Sequence, residues 1–303
     1  MRNFRFPLIL LIGINFLLIY QSCSTCSRRQ TEITVELDDF GIDTVYTDMA
    51  RKVLYALPTP IEMSFLIKNS GIVWNANLLN NPAVASKYLT NQKMALNFGV
   101  YMTDLTYAGL FEQSQAALRF KMAIQQLSEG LGLQAAINAN TMRLLEDNIN
   151  DKDEMMRIIS DAYSTCMATL NESERFSLSL TILAGGWVES MYISTSSLDE
   201  KLLTNEERIK QLVIDQILTF DMLWQVLLEQ SDIPDVQRLM KDFSGLASLY
   251  DNIGVSHTSN EVSVSEDSNI TVIASSNVVK LTAEDFEKIK FQIQMLRNNF
   301  TNI

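Results

Sequence analysis

Apolar residues recur at helical spacing along most of this chain. Between Ile209 and Leu227 they fall every three or four residues, so they share one face of a helix. A second stripe lies near the C-terminus and comprises Phe286, Ile289, Ile293, Leu296 and Phe300. Such faces are stable when another element covers them. The pattern therefore predicts an all-α fold, built as stacked antiparallel helical hairpins or as a helical bundle.

Helix-start signals precede these stripes in the chain. Thr59, Pro60 and Glu62 have the spacing of an N-cap, a first-turn proline and the acidic partner of a capping box. The same spacing recurs at Asp151–Glu154 and at Asn171–Glu174. We therefore expect helices to begin at these three places.

Residues 256–276 interrupt the helical pattern. This segment is rich in serine and contains two short runs of alternating residues, which predict a short β-hairpin near 260–275 or a loop. A C-terminal helix at 282–301 follows, and its apolar stripe requires cover from the bundle or from another protomer. We interpret 44–303 as a single helical domain.

The first residues are typical of an export signal. Arg2 and Arg5 precede an apolar stretch from Phe6 to Tyr20, which is shorter than the roughly 20 residues that span a membrane as a helix. Residues 1–22 are therefore predicted to be a cleaved signal peptide.

Cys23 follows this stretch between Ser22 and Ser24, and the arrangement resembles the lipobox of bacterial lipoproteins. The resemblance implies that Cys23 is acylated and that signal peptidase II cuts before it. Residues 23–43 would then be a lipidated tether, and Ser24 implies transfer to the outer membrane. Cys26 offers a second register, but Cys23 lies nearer the end of the apolar stretch.

Composition excludes several classes of function. The formal charge of −12 argues against a nucleic-acid-binding protein, because an acidic field repels phosphates. The only histidine, His257, has no second histidine or cysteine pair near it, so we expect no metal site and no catalytic triad. Phosphate-binding glycine motifs are absent, and we expect neither a cofactor nor a catalytic residue.

Two carboxylates lie in unusually apolar helical surroundings. Asp104 is three residues from a tyrosine on either side, so the three side chains share a helix face. Glu189 stands near Trp187 and three residues before Tyr192. If the two faces meet, aromatic walls and two acids would form a pocket for a cationic or sugar-like ligand. The candidate ligand-binding residues are Tyr101, Asp104, Tyr107, Trp187, Glu189 and Tyr192.

Two other interpretations of these residues remain open. In the first, both acids are buried structural links within the bundle, and Gly99, Gly109, Gly185 and Gly186 allow helices to approach closely. In the second, the paired acids raise one another's pKa and serve an acid/base hydrolase.

Two segments carry a broader resemblance. Asn97–Phe111 reads NFGVYMTDLTYAGLF, and AGGWVESMY begins at Ala184. Together with the lipobox-like start and the helical body, they resemble predicted helical lipoproteins of unknown function from Bacteroidetes-type bacteria. The resemblance implies a Gram-negative cell envelope. We therefore expect a non-enzymatic protein that contacts the membrane through its N-terminal lipid and binds a protein or another envelope component through its helices.

Overall fold

The computed structural model describes residues 57–172, 175–197, 206–253 and 281–303, together with four short strands between 256 and 278. The predicted signal peptide, both candidate lipidation cysteines and the tether at 23–43 lie outside the described residues.

The described chain is an all-α helical bundle, which confirms the predicted fold class. Its helices are α1 (Pro60–Asn69), α2 (Asn91–Leu110), α3 (Ser114–Leu131), α4 (Ala139–Asp147), α5 (Lys152–Glu172), α6 (Phe176–Ser196), α7 (Glu206–Glu229), α8 (Pro234–Asn252) and α9 (Ala283–Thr301). Two 3-10 segments, Ala76–Leu78 and Pro82–Lys87, lie between α1 and α2.

Helices α2 and α6 form the centre of the bundle. Every residue of α2 from Ala95 onward is buried, and α6 is buried along nearly its whole length. Glycine permits their close approach: a Cβ at Gly99 would collide with the backbone of Ile182, and one at Gly185 with the backbone of Leu96. Two backbones therefore pack directly against each other, as the glycine-rich sequences of both helices suggested.

Apolar side chains cover this pair from two sides. One buried cluster combines α2 with α3, α4 and α5. The second combines α6 with α7, α8 and α9, and it buries the predicted stripe of the C-terminal helix from Phe286 to Phe300. Because the same chain supplies this cover, the stripe of α9 needs no second protomer.

Local capping chemistry sets several helix starts. Thr59 and Glu62 form the predicted capping box of α1, and Thr282 forms another with Asp285 at α9. The predicted start at Asn171 is wrong. Asn171 lies in the last turn of α5, and α6 begins at Phe176 without a side-chain cap. Burial of α6 therefore outweighs the local cap signal.

The segment predicted as a hairpin or loop contains short strands. Glu261–Val264 pairs antiparallel with Thr271–Ala274, and Ser256–His257 pairs antiparallel with Asn277–Val278. Both pairs lie in the connection between α8 and α9.

Among the described helices, α7 has the length and apolar composition that a membrane span requires. Half of that stretch is buried inside the protein, where Val213, Ile217 and Phe220 pack in the second cluster. A core helix satisfies the same criterion.

Candidate functional site

The two central helices bring the predicted carboxylates together. Asp104 extends from α2 and Glu189 from α6, and Glu189 is close enough to raise the pKa of the Asp104 carboxyl group. Both residues are completely buried. The two helix faces that carry the acids therefore meet, in the interior and not at an open pocket.

Arg297 of α9 provides the positive charge at this meeting point. Its Nε donates to Oε2 of Glu189 at 3.0 Å and its Nη2 donates to Oε1 at 3.2 Å, which makes a bidentate ion pair. Nη2 also donates to the carbonyl of Leu78 at 3.2 Å. The guanidinium lies 4.6 Å from the ring centroid of Tyr192. Burial opposes the charged form of Arg297, but Glu189 and then Asp104 hold its pKa above the ordinary value.

Asp104 has less support than Glu189. The backbone N–H of Asn80 donates to its Oδ2 at 3.1 Å. Its Oδ1 is buried and accepts no hydrogen bond. Burial raises the pKa of Asp104 well above its usual range, and Glu189 raises it further. Arg297 and the Asn80 amide act in the opposite direction but do not cancel this effect.

The tyrosines beside Asp104 bind the irregular segment between α1 and α2. The Tyr101 hydroxyl donates to the carbonyl of Asn81, and the Tyr107 hydroxyl donates to that of Val73, each at 2.9 Å. Burial raises the pKa of Tyr107 to about 12 and also raises that of Tyr101. Both phenols are therefore neutral donors at physiological pH. This face of α2 therefore anchors the connection that contains the two 3-10 segments.

The six predicted site residues do not form one set. Asp104, Glu189 and Tyr192 gather around Arg297. Trp187 faces the opposite side, where its Nε1 donates to Oε1 of Gln216 at 3.2 Å and its ring packs against aromatic residues of α7 and α8. Because Glu189 and Trp187 are two residues apart on a helix, they face different neighbours.

The polar network continues to the C-terminal end of α9. Nζ of Lys93 donates to the carbonyls of Asn299 at 2.6 Å and Asn302 at 2.8 Å. Asn97 donates to the carbonyl of Phe300 at 2.9 Å, and the Tyr88 hydroxyl donates to that of Thr301 at 3.0 Å. Carbonyls that a helix end leaves unpaired thus receive a cation and two neutral donors. Both α9 contacts, at Arg297 and at its C-terminus, hold this helix against α2 and α6.

Arg297 and Asn80 were not among the site residues predicted from the sequence. A signal for Arg297 exists, because it lies four residues after Ile293 and three before Phe300, on the apolar face of its helix. A charged residue at such a position requires a buried counter-charge. Asn80 supports Asp104 through its backbone amide, which carries no residue-specific signal. Its side chain donates to Tyr88 and to Asn97.

The cluster of Asp104, Glu189 and Arg297 is a buried ion-pair network that no substrate contacts in this conformation. Glu189 has both oxygens bound by Arg297, and neither carboxylate reaches solvent. Within the described residues, no group of three His, Cys, Asp or Glu side chains is placed to hold a metal ion.

Comparison with known proteins adds no family to this description. No protein-family model matches the sequence, and no curated protein and no solved structure matches the chain.

Proposed function

We propose that this chain is a non-enzymatic, lipid-anchored protein of a Gram-negative cell envelope, and that its helical bundle is a scaffold that binds another protein. The observation that carries the non-enzymatic part is the burial of Asp104 and Glu189 around Arg297. A substrate could reach either acid only if part of the bundle moved, because both side chains are completely buried. This burial favours the scaffold over the ligand pocket and over the acid/base hydrolase.

Exposed apolar side chains on α9 support a protein as the partner. Phe291 and Met295 lie one turn apart and are 62% and 54% exposed. Phe291 also lines a groove of about 400 Å³ together with Leu249 and four polar residues, Glu284, Glu287, Lys288 and Gln292. Lys288 forms an ion pair with Glu284. Aromatic residues and methionine are enriched at protein interfaces. A partner protein with an apolar side chain fits this groove and would cover Phe291.

The experiment is a crosslinked pull-down from the cell envelope with four forms of the protein. We expect the intact protein and Leu89→Ser to recover the same partner, since Leu89 is exposed but belongs neither to α9 nor to the lining of the groove. The double variant Phe291→Ser/Met295→Ser should lose it, and Cys23→Ser should recover it less well because it is not concentrated at the membrane. If the double variant recovered as much partner as the intact protein, the partner would not bind at Phe291 and Met295. If no form recovers a partner while the purified domain binds a small metabolite, the receptor hypothesis replaces the scaffold.

The lipid anchor gives a separate prediction. Cys23→Ser should leave the bundle folded but release it from the membrane, or leave an uncleaved precursor, because acyl chains supply the anchoring and the capped helices supply the folding. Incorporation of a fatty-acid analogue and the mass of the mature chain measure this. Label that persists in Cys23→Ser but disappears in Cys26→Ser would move the site to Cys26, and an unlabelled wild-type chain would contradict lipidation.

A further inference from the structure

The charges at the centre of the bundle do not balance if both acids are ionised. Asp104 and Glu189 would contribute two negative charges, and Arg297 contributes one positive charge. Glu189 is 0% exposed and the side chain of Arg297 is 13% exposed, so water provides little compensation. Nε and Nη2 of Arg297 both donate to Glu189, and neither donates to Asp104. Asp104 therefore has no counter-charge of its own.

One oxygen of Asp104 also lacks a hydrogen-bond donor. Its Oδ2 accepts from the amide of Asn80, whereas its Oδ1 is buried without any donor. An ionised carboxylate accepts hydrogen bonds and donates none, so its Oδ1 would remain unsatisfied. A protonated carboxyl group donates one hydrogen bond, and the carboxylate of Glu189, which acts on Asp104 from the facing helix, is an acceptor for it.

We propose that the folded protein holds a proton between Asp104 and Glu189, with Asp104 as the neutral donor, and that this buried proton makes the stability of the bundle depend on pH. The proton balances the cluster, since one carboxylate then faces one guanidinium. It also satisfies Oδ1 of Asp104. The inference is independent of what the protein binds.

The groups that face Asp104 support this protonation. Glu189 acts on it from α6 and Arg297 from α9. Tyr192 of α6 lies against the guanidinium of Arg297, and Tyr88, which follows the second 3-10 segment, lies beside Tyr101. Tyr101 and Tyr107 of its own helix are neutral phenols. Arg297 is thus the one cation that acts on Asp104 among these groups, and it is already paired.

The direction of the pH dependence follows from the raised pKa of Asp104 in the folded state. An unfolded aspartate loses its proton near about pH 4. Above this pH the folded protein binds one proton more than the unfolded chain, so stability falls as pH rises until the folded group ionises. The contribution is fully present at acidic pH and is lost as pH rises through the folded pKa.

Asp104→Asn tests the proposal, because asparagine has the same shape, accepts from Asn80 and donates an N–H to Glu189 without titrating. We expect the unfolding equilibrium constant of the wild type, divided by that of D104N, to rise by up to about tenfold per pH unit above about pH 4. Asp161→Asn is the control. It removes an exposed carboxylate paired with Arg157, and its pH profile should run parallel to that of the wild type.

Infrared spectroscopy of the folded wild type provides a test that needs no stable variant. We expect a carbonyl band of a protonated carboxyl group at neutral pH, present in D161N and lost in D104N. A wild type without this band would overturn the proposal. A stability ratio between wild type and D104N that is constant or falls with pH would overturn it as well.

Discussion

Replacing Arg297 by methionine should lower the free energy of unfolding by about 3–5 kcal/mol, the usual cost of breaking a buried ion pair from one side. Methionine keeps much of the apolar stem but removes every donor to Glu189 and to the carbonyl of Leu78. Glu189 is then a fully buried carboxylate without a cation. Chemical denaturation followed by circular dichroism measures the loss.

Arg157→Met is the matched control for this experiment. Arg157 also pairs with two acids, Glu154 and Asp161, but these contacts lie on the exposed surface of α5. We expect little change, because solvent-exposed ion pairs contribute little to stability. Adding Glu189→Gln to Arg297→Met should recover part of the loss, since it removes the unpaired charge. Equal effects of the two arginine variants would contradict the role given to Arg297.

Gly185→Ala should destabilise the bundle by about 3 kcal/mol, at the upper end of the usual cost of overpacking. The new Cβ would collide with the backbone carbonyl of Leu96, and a backbone cannot rotate away as a side chain can. The central helices must separate to admit the methyl group, which loosens contacts along both. Thermal unfolding should show a lower midpoint, and Gly99→Ala should behave similarly because its Cβ meets the carbonyl of Ile182.

Gly109→Ala distinguishes backbone collision from the mere loss of a glycine. Its Cβ would meet the terminal methyl groups of Met155 and Met156, which belong to flexible side chains. Alanine also favours the helix by up to about 1 kcal/mol relative to glycine. We therefore expect a much smaller loss than in Gly185→Ala. A similar loss in both variants would show that direct backbone packing of α2 on α6 is not the cause.

Local signals in the sequence predicted the features that local physics decides. Thr59 and Glu62 lie within one turn, so their spacing predicted the capping box. The spacing of apolar residues predicted the buried faces of the helices in the same way. Asn171 shows the limit of this approach: its spacing to Glu174 is that of a capping box, but the packing of α5 and α6 determines where those helices end and begin.

The candidate site was predictable only in part for the same reason. The apolar surroundings of Asp104 and Glu189 marked them as unusual, and their meeting depended on how α2 and α6 pack. Arg297 follows Glu189 by 108 residues, so no local spacing connects the two. Nothing in the sequence showed that Trp187 faces Gln216 while Glu189 faces α9.

The position of Arg297 in the chain also constrains the order of folding. A nascent chain that has reached the end of α6 contains Asp104 and Glu189 but not yet the cation that compensates them, and it also lacks the carbonyls of α9 that Lys93, Asn97 and Tyr88 bind. The contact between Tyr88 and Thr301 joins positions 213 residues apart. The central pair therefore cannot reach its final packing until α9 has been made, so closure of the bundle is a late step in folding.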